Sequence, residues 1–137
     1  MRTVIVVAGV IIEKGKVLLT QRKEGAHLAG LWEFPGGKVG EGEDPRDALV
    51  RELQEEIGVS ATVAGILEVT YFRYEEAQKA VLLLFYECSL AATSPAPSAI
   101  DVAAFRWARP GDLDPALFPP ADVDVLVKVR GKLSESP

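Results

Sequence analysis

The segment Gly37–Val59, GKVGEGEDPRDALVRELQEEIGV, decides how this chain is read. Asp44 and Pro45 announce a helix: Asp accepts hydrogen bonds from orphan N–H groups at an N-cap, and Pro fits N1, where no N–H is needed. The pattern runs to about Ile57 and stops at Gly58, which suits a left-handed C′ residue. At 100° per residue, Leu49, Val50, Leu53 and Ile57 form an apolar stripe, and Glu52, Glu55 and Glu56 fall in an adjacent sector of roughly 100°. Like charges at i,i+3 and i,i+4 cost a helix about 0.2–0.5 kcal/mol per pair. Three carboxylates on one face make a hard-oxygen site suited to Mg²⁺ or Mn²⁺. The competing reading is a solvated acidic face.

The charge of the whole chain resides in this segment. Of 20 acids and 15 Lys+Arg among 137 residues, seven acids and two bases lie between Glu41 and Glu56, a local net of −5; the other 13 acids and 13 bases cancel. Binding to a nucleic-acid polymer through a basic footprint is therefore excluded. Hydrophobic residues make up 48%, too many for a disordered chain. A single cysteine, Cys88, rules out a disulfide framework, and its apolar setting reads as a buried strand thiol. The apolar runs Val4–Ile12 and Ala80–Tyr86 are about half the roughly 20 residues of a membrane helix. A cytoplasmic domain without a membrane partner is the simplest expectation, and the sequence leaves monomer and homodimer open.

Working outward, Thr3–Ile12 reads as a strand buried on both faces, joined through a turn at Glu13–Lys16 to a second strand, Val17–Arg22. Lys23–Gly42 holds six of the 12 glycines and reads as a loop of about 20 residues, a length commonly tied to function. After the acidic helix come a long strand over Ala61–Tyr74, a polar turn at Glu75–Lys79 and a mid-sheet strand over Ala80–Leu90. A loop to Ala99, a short strand at Ala103–Ala108, a helical turn at Asp112–Leu117 and a closing helix at Pro120–Val129 complete the chain. This order means one domain of α+β or α/β class.

Gly37-x5-Glu43-x7-Arg51-Glu52-Leu53-x-Glu55-Glu56-x-Gly58-Val59 matches the Nudix box at every fixed position. Chance agreement is on the order of 10⁻¹⁰ per start site at average residue usage. Gly30–Lys38, Thr20-Gln21-Arg22, Ala26-His27 and Phe118–Asp122 are similar to the MutT-type branch of that family, so the resemblance covers residues 1–137 as a single domain. It implies an α/β/α fold, a mixed β-sheet sandwiched between helices. It also implies Mg²⁺-dependent hydrolysis of a nucleoside triphosphate to monophosphate and pyrophosphate. Glu52, Glu55 and Glu56 match the metal-holding glutamates, joined by the carbonyl of Gly36; Glu52 and Glu55 are also catalytic candidates. Arg51 is expected to orient a box glutamate, Glu43 to brace the loop–helix junction, and Asp101 to add a late catalytic acid. Arg22 and Lys38 are the phosphate candidates.

Asp122 and Phe118 stand where the resemblance places base recognition. An ionised Asp only accepts hydrogen bonds; a protonated one would widen the set of bases. Phe34 and Trp32 read as core anchors, and His27 as either a loop residue or a site residue. Within the resemblance, sanitising of an oxidised purine such as 8-oxo-dGTP stands beside a CTP-type pyrophosphohydrolase. A dinucleoside polyphosphate hydrolase, suggested by Tyr74, and a non-catalytic Nudix-fold binding module remain as alternatives.

Overall fold

In the computed structural model, residues 1–135 are described; the last two residues of the expected 1–137 domain lie outside them. Seven strands and two long helices appear in the order β1 (Arg2–Glu13), β2 (Lys16–Gln21), β3 (Trp32–Glu33), β4 (Gly36–Lys38), α1 (Pro45–Ile57), β5 (Ala61–Tyr74), β6 (Lys79–Leu90), β7 (Ala104–Ala108) and α2 (Val123–Glu135). β1 lies between β4 and β6, and β5 forms the edge beyond β6. β1 and β6 run parallel from Arg2↔Lys79 to Ile11↔Cys88. All other pairings are antiparallel, so the sheet is mixed. At its far end β1 turns into β2 through Lys14 and Gly15, both at positive φ, the conformation of a tight hairpin turn. β2 then pairs with β3 and β7.

The two-residue period of strands divides the core between two faces. Val7 and Ile11 of β1 and Leu18 of β2 pack with Ala48, Leu49, Leu53 and Ile57 of α1. Ala8, Val10, Val17 and Leu19 face the other way, onto Val125, Leu126, Val129 and Leu133 of α2. The helices supply these residues at i,i+3 and i,i+4, one stripe each. A helix on each face of a mixed sheet is the α/β/α sandwich expected from the resemblance.

Several expectations change. The Lys23–Gly42 loop contains β3 and β4; strands of two and three residues carry no readable period, and only their distant partners define them. β1 is buried on both faces only from Val7 to Ile11, because its first residues extend to the sheet's open end. The closing helix begins with a 3-10 turn at Pro120–Asp122 and continues to Glu135. No described helix is long and apolar enough to cross a membrane.

Candidate active site

The last two turns of α1 carry the acidic side chains, and the helix is fixed at both ends. The Asp44 carboxylate accepts from the Arg46 N–H at 2.8 Å. Gly58 ends the helix at φ 72°, its N–H donating to the Gln54 carbonyl. The N–H groups of Ser98, Ile100 and Asp101 donate to the carbonyls of Ile57 and Glu56 at 3.0–3.1 Å, satisfying C-terminal acceptors that the helix cannot satisfy itself. The loop before β7 is thereby docked on α1, which brings Asp101 into the neighbourhood of Glu56. Its carboxylate is exposed and paired with Lys23.

Facing α1 is the Gly36-Gly37 pair. A Cβ on Gly36 would stand 1.9 Å from the Val7 carbonyl, and one on Gly37 would stand 2.4 Å from the Glu52 carboxylate. Only glycine lets β4 lie against β1 on one side and Glu52 on the other. The Gly36 N–H donates to Glu56 Oε1 at 3.2 Å.

Arg51 organises the outer acids. Its Nε and Nη2 grip both oxygens of Glu43 at 2.9 and 3.0 Å, and its Nη1 donates to Glu52 at 2.9 Å and to Glu55 at 3.1 Å. The grip from Arg51, helped by the Gly40 N–H, pulls the Glu43 carboxyl down to about 2. Those bonds fix Glu43 at the loop–helix junction and keep Arg51 firmly charged. Glu52 is mostly buried, and desolvation raises its pKa despite Arg51. Glu56 is pushed up to about 8, first by burial and then by the nearby charges of Glu33 and Glu52. Glu55 turns outward to Arg51 and is half exposed.

The three glutamates of this face are placed differently: Glu52 and Glu56 turn toward β4 and Glu55 pairs with Arg51. Among the described residues, no three acids, histidines or cysteines stand close enough to enclose a metal by themselves. Fixed α-helical spacing puts Glu55 on the rim while Glu52 and Glu56 turn toward β4. The arrangement does fit a divalent ion that takes its remaining ligands from water and phosphate. Glu56 is a buried carboxyl with one protein donor and like charges around it, an imbalance that a cation removes.

From Glu56 a cleft of about 260 Å³ opens over the opposite face of the sheet. Val6, Ala8, Val81 and Leu83 floor it, and Leu28, Phe34, Tyr74 and Asp122 wall it. Asp122 is 4% exposed, and burial followed by the charge of Glu33 holds its pKa far above the carboxylate range. In its protonated form such an acid donates as well as accepts, and burial favours that form. Glu33 is raised as well, by desolvation that outweighs Arg22.

Of the substrate candidates, Arg22, Lys38 and Asp122 line the cleft and Phe118 does not. Arg22 donates to Glu33 at 2.9 Å and to the His27 carbonyl at 2.6 Å, so its guanidinium is engaged inside the cleft beside the acids. Phe118 does not line the cleft. It is buried behind it, 6.0 Å from Phe34, because the chain enters the Pro120 turn with that side chain directed into the core. Lys38 does line the cleft, and His27 joins it with its ring edge-on to Tyr74 at 5.2 Å. Trp32 packs on the core with Arg106 over its ring. Burial raises the Cys88 thiol to about 12, too high for a nucleophile at neutral pH.

Glu33 and Lys79 are cleft residues that the sequence reading did not assign. Lys79 has the parity of Val81 and Leu83 on β6, a signal obscured by placing it in a turn. Glu33 sits in a two-residue strand, too short for a period to show its direction.

An apolar slot ending in the acids Glu33 and Asp122, joined to a metal-ready acidic helix, defines a site for a nucleotide-like molecule with a phosphate chain. The chain belongs to the Nudix family: the NUDIX domain model matches residues 1–128. It is 39% identical over 122 residues to an 8-oxo-dGTP diphosphatase of Haemophilus influenzae, covering 88% of this chain and 87% of that protein. Against the CTP pyrophosphohydrolase of Escherichia coli K12 it is 56% identical over 63 residues, 46% of this chain and about half (47%) of that protein. The solution structure of the E. coli ORF135 protein superposes with a TM-score of 0.79 at 33% identity, covering 100% of this chain and 95% of that one.

Proposed function

We propose that this protein hydrolyses a nucleoside triphosphate to the monophosphate and pyrophosphate with Mg²⁺ as its divalent cation. The observation that carries the reading is the continuity between Glu56 and Asp122 along one cleft. A base can reach the buried acid while its phosphate chain lies beside α1.

A bound divalent ion would screen the phosphate charge and increase the acidity of an attacking water. Glu52, Glu56 and the Gly36 carbonyl are the residues to hold it. Arg51 fixes Glu52 by a charge-assisted bond and Glu43 by a bidentate one, so the carboxylates need little reordering when substrate arrives. Glu52, with its raised proton affinity, and Asp101, exposed nearby, are the groups to accept the water proton. The apolar floor excludes water from the nucleoside.

Protonated, Asp122 offers one donor and one acceptor, and Glu33 beside Arg22 offers more polar atoms. An oxidised purine such as that of 8-oxo-dGTP can use such a set through its ring N–H, amine and carbonyl groups. The same set reads cytosine as well, and the 56% identity over 63 residues to a CTP pyrophosphohydrolase favours that second reading. A screen of canonical and oxidised nucleoside triphosphates with Mg²⁺, scoring pyrophosphate against phosphate release, separates them. Pyrophosphate release strongest with 8-oxo-dGTP supports the first and strongest with CTP or dCTP the second; no turnover of any triphosphate would sink both.

A further inference from the structure

One cation of the cleft stands away from the metal-ready end and has no assigned role. Lys79 opens β6 and shares the parity of Val81 and Leu83, so it faces the cleft with them. Tyr74 stands opposite it on β5. Burial raises the Tyr74 phenol, a backbone hydrogen bond from Ala121 opposes that rise, and the charge of Asp122 adds to it. Tyr74 thus touches the turn that carries Asp122 and places Lys79 and Asp122 at one end of the cleft. Lys38 belongs to the other end. It pairs with Val6, which registers with Leu83, four residues or about 13 Å along β6 from Lys79.

Among the described residues Lys79 has no carboxylate within salt-bridge distance, whereas Arg22 is committed to Glu33. Lys79 is half-buried, and its pKa is lowered first by desolvation and then by the charges of Lys38, Arg22 and Arg2. An ammonium has three donors and no acceptor. Donors withdrawn from water without a partner are costly, so the site favours a ligand that accepts from them. Asp122, in the protonated form that burial favours, adds a further donor. This end of the cleft is rich in donors, and a ligand edge that carries acceptors completes it.

We propose that Lys79 sets base preference: its ammonium donates to an exocyclic carbonyl oxygen of the nucleobase and selects carbonyl-bearing bases over adenine. The inference rests on the triphosphate reading above. It holds for an oxidised guanine and for cytosine alike, since both carry a carbonyl. Adenine carries none. Its exocyclic amine at the same place sets donor against donor and leaves the ammonium without a partner in a desolvated site. A site built around such a donor rejects the analogue that lacks the acceptor more strongly than an apolar wall does.

The test is steady-state kcat/KM with Mg²⁺ for dATP, dCTP, dGTP and 8-oxo-dGTP, with Ki as a competitive inhibitor for any that is not turned over. Lys79→Met keeps the length and apolar stem of the side chain and removes its donors. It should lower kcat/KM for the best carbonyl-bearing substrate about 10-fold, mainly through KM, and leave dATP within about 2-fold. Lys79→Arg should restore most of the preference. An equal loss for every nucleotide, as a purely structural role would give, or an unchanged preference over dATP overturns the proposal. If Lys79→Met does not fold, Lys79→Gln decides: its amide oxygen accepts from the adenine amine, so preference should move toward dATP, and no movement overturns the proposal. Failure of the wild type to turn over any triphosphate would instead remove the functional reading. Calorimetric binding of dAMP, dCMP and 8-oxo-dGMP to wild type and Lys79→Met would then decide the role of Lys79 by the same comparison.

Discussion

Replacing Glu56 by Gln should make the metal-free protein more stable at alkaline pH while removing its activity. The Glu56 carboxyl is raised from 4.5 to about 8 by burial and neighbouring acids. Below pH 4.5 it is protonated in both folded and unfolded chains and contributes no difference in proton binding. Between pH 4.5 and 8 the unfolded chain releases the proton and the folded one retains it, so stability falls as pH rises, levelling off above 8. At about 1.4 kcal/mol per pH unit the full loss is at most about 5 kcal/mol, and water penetration into the open cleft reduces it to about 2–4 kcal/mol. Gln carries no charge and keeps an oxygen for the Gly36 N–H. For a chain of this size about 1 kcal/mol moves Tm by roughly 4 °C. Thermal melts of metal-free protein should show wild type and Glu56→Gln together at pH 4.5 and separated by about 8–16 °C at pH 9, the variant being higher. Mg²⁺ should raise the wild-type Tm at pH 9 and leave the variant nearly unchanged, while kcat of the variant falls about 100-fold or more. A constant Tm difference across this pH range, or equal stabilisation of both proteins by Mg²⁺, would refute the electrostatic account of Glu56.

Arg51→Lys keeps the charge but loses the bidentate grip on Glu43 and the shared contact with Glu52 and Glu55; Tm should fall by roughly 4–8 °C and kcat by about 10-fold or more, read in one melt and one steady-state assay. Gly37→Ala inserts a methyl 2.4 Å from the Glu52 carboxylate, so kcat/KM should drop about 100-fold as Glu52 is displaced; an unchanged kcat/KM would contradict the close approach. Asp122→Asn should retain the relative kcat/KM among bases because a neutral Asp and an Asn both donate and accept, whereas Asp122→Ala should change that ranking; a loss of selectivity in the Asn variant would show that Asp122 acts ionised.

α1 was readable to the residue: Asp44, Pro45 and Gly58 are local signals that act within one turn of the chain, and the structure places the helix at Pro45–Ile57. The long strands β1, β5 and β6 were equally plain, since their apolar and β-branched runs exceed the length at which period and composition can be read. β3 and β4 were not, and with them went Glu33. Burial also escaped the sequence. Asp122 looked like a charge at a helix start, and only its burial in the fold, beside Glu33, raises its pKa.

The local sequence by itself determined the acidic helix and the glutamates on one side of it, because both follow from 3.6 residues per turn and from the caps at its ends, and the box spacing carried the resemblance to the family. The tertiary structure decided which of those glutamates differ. Burial beside Gly36 raises Glu56, Arg51 holds Glu52 and Glu55, and Glu55 stays in solvent. It also decided that Glu33, Asp122 and Lys79 share one cleft, since strands β3 and β6 and the turn before α2, far apart in the chain, meet only through sheet register and helix packing. Desolvation depends on everything that surrounds a group, and no local run of sequence contains that information.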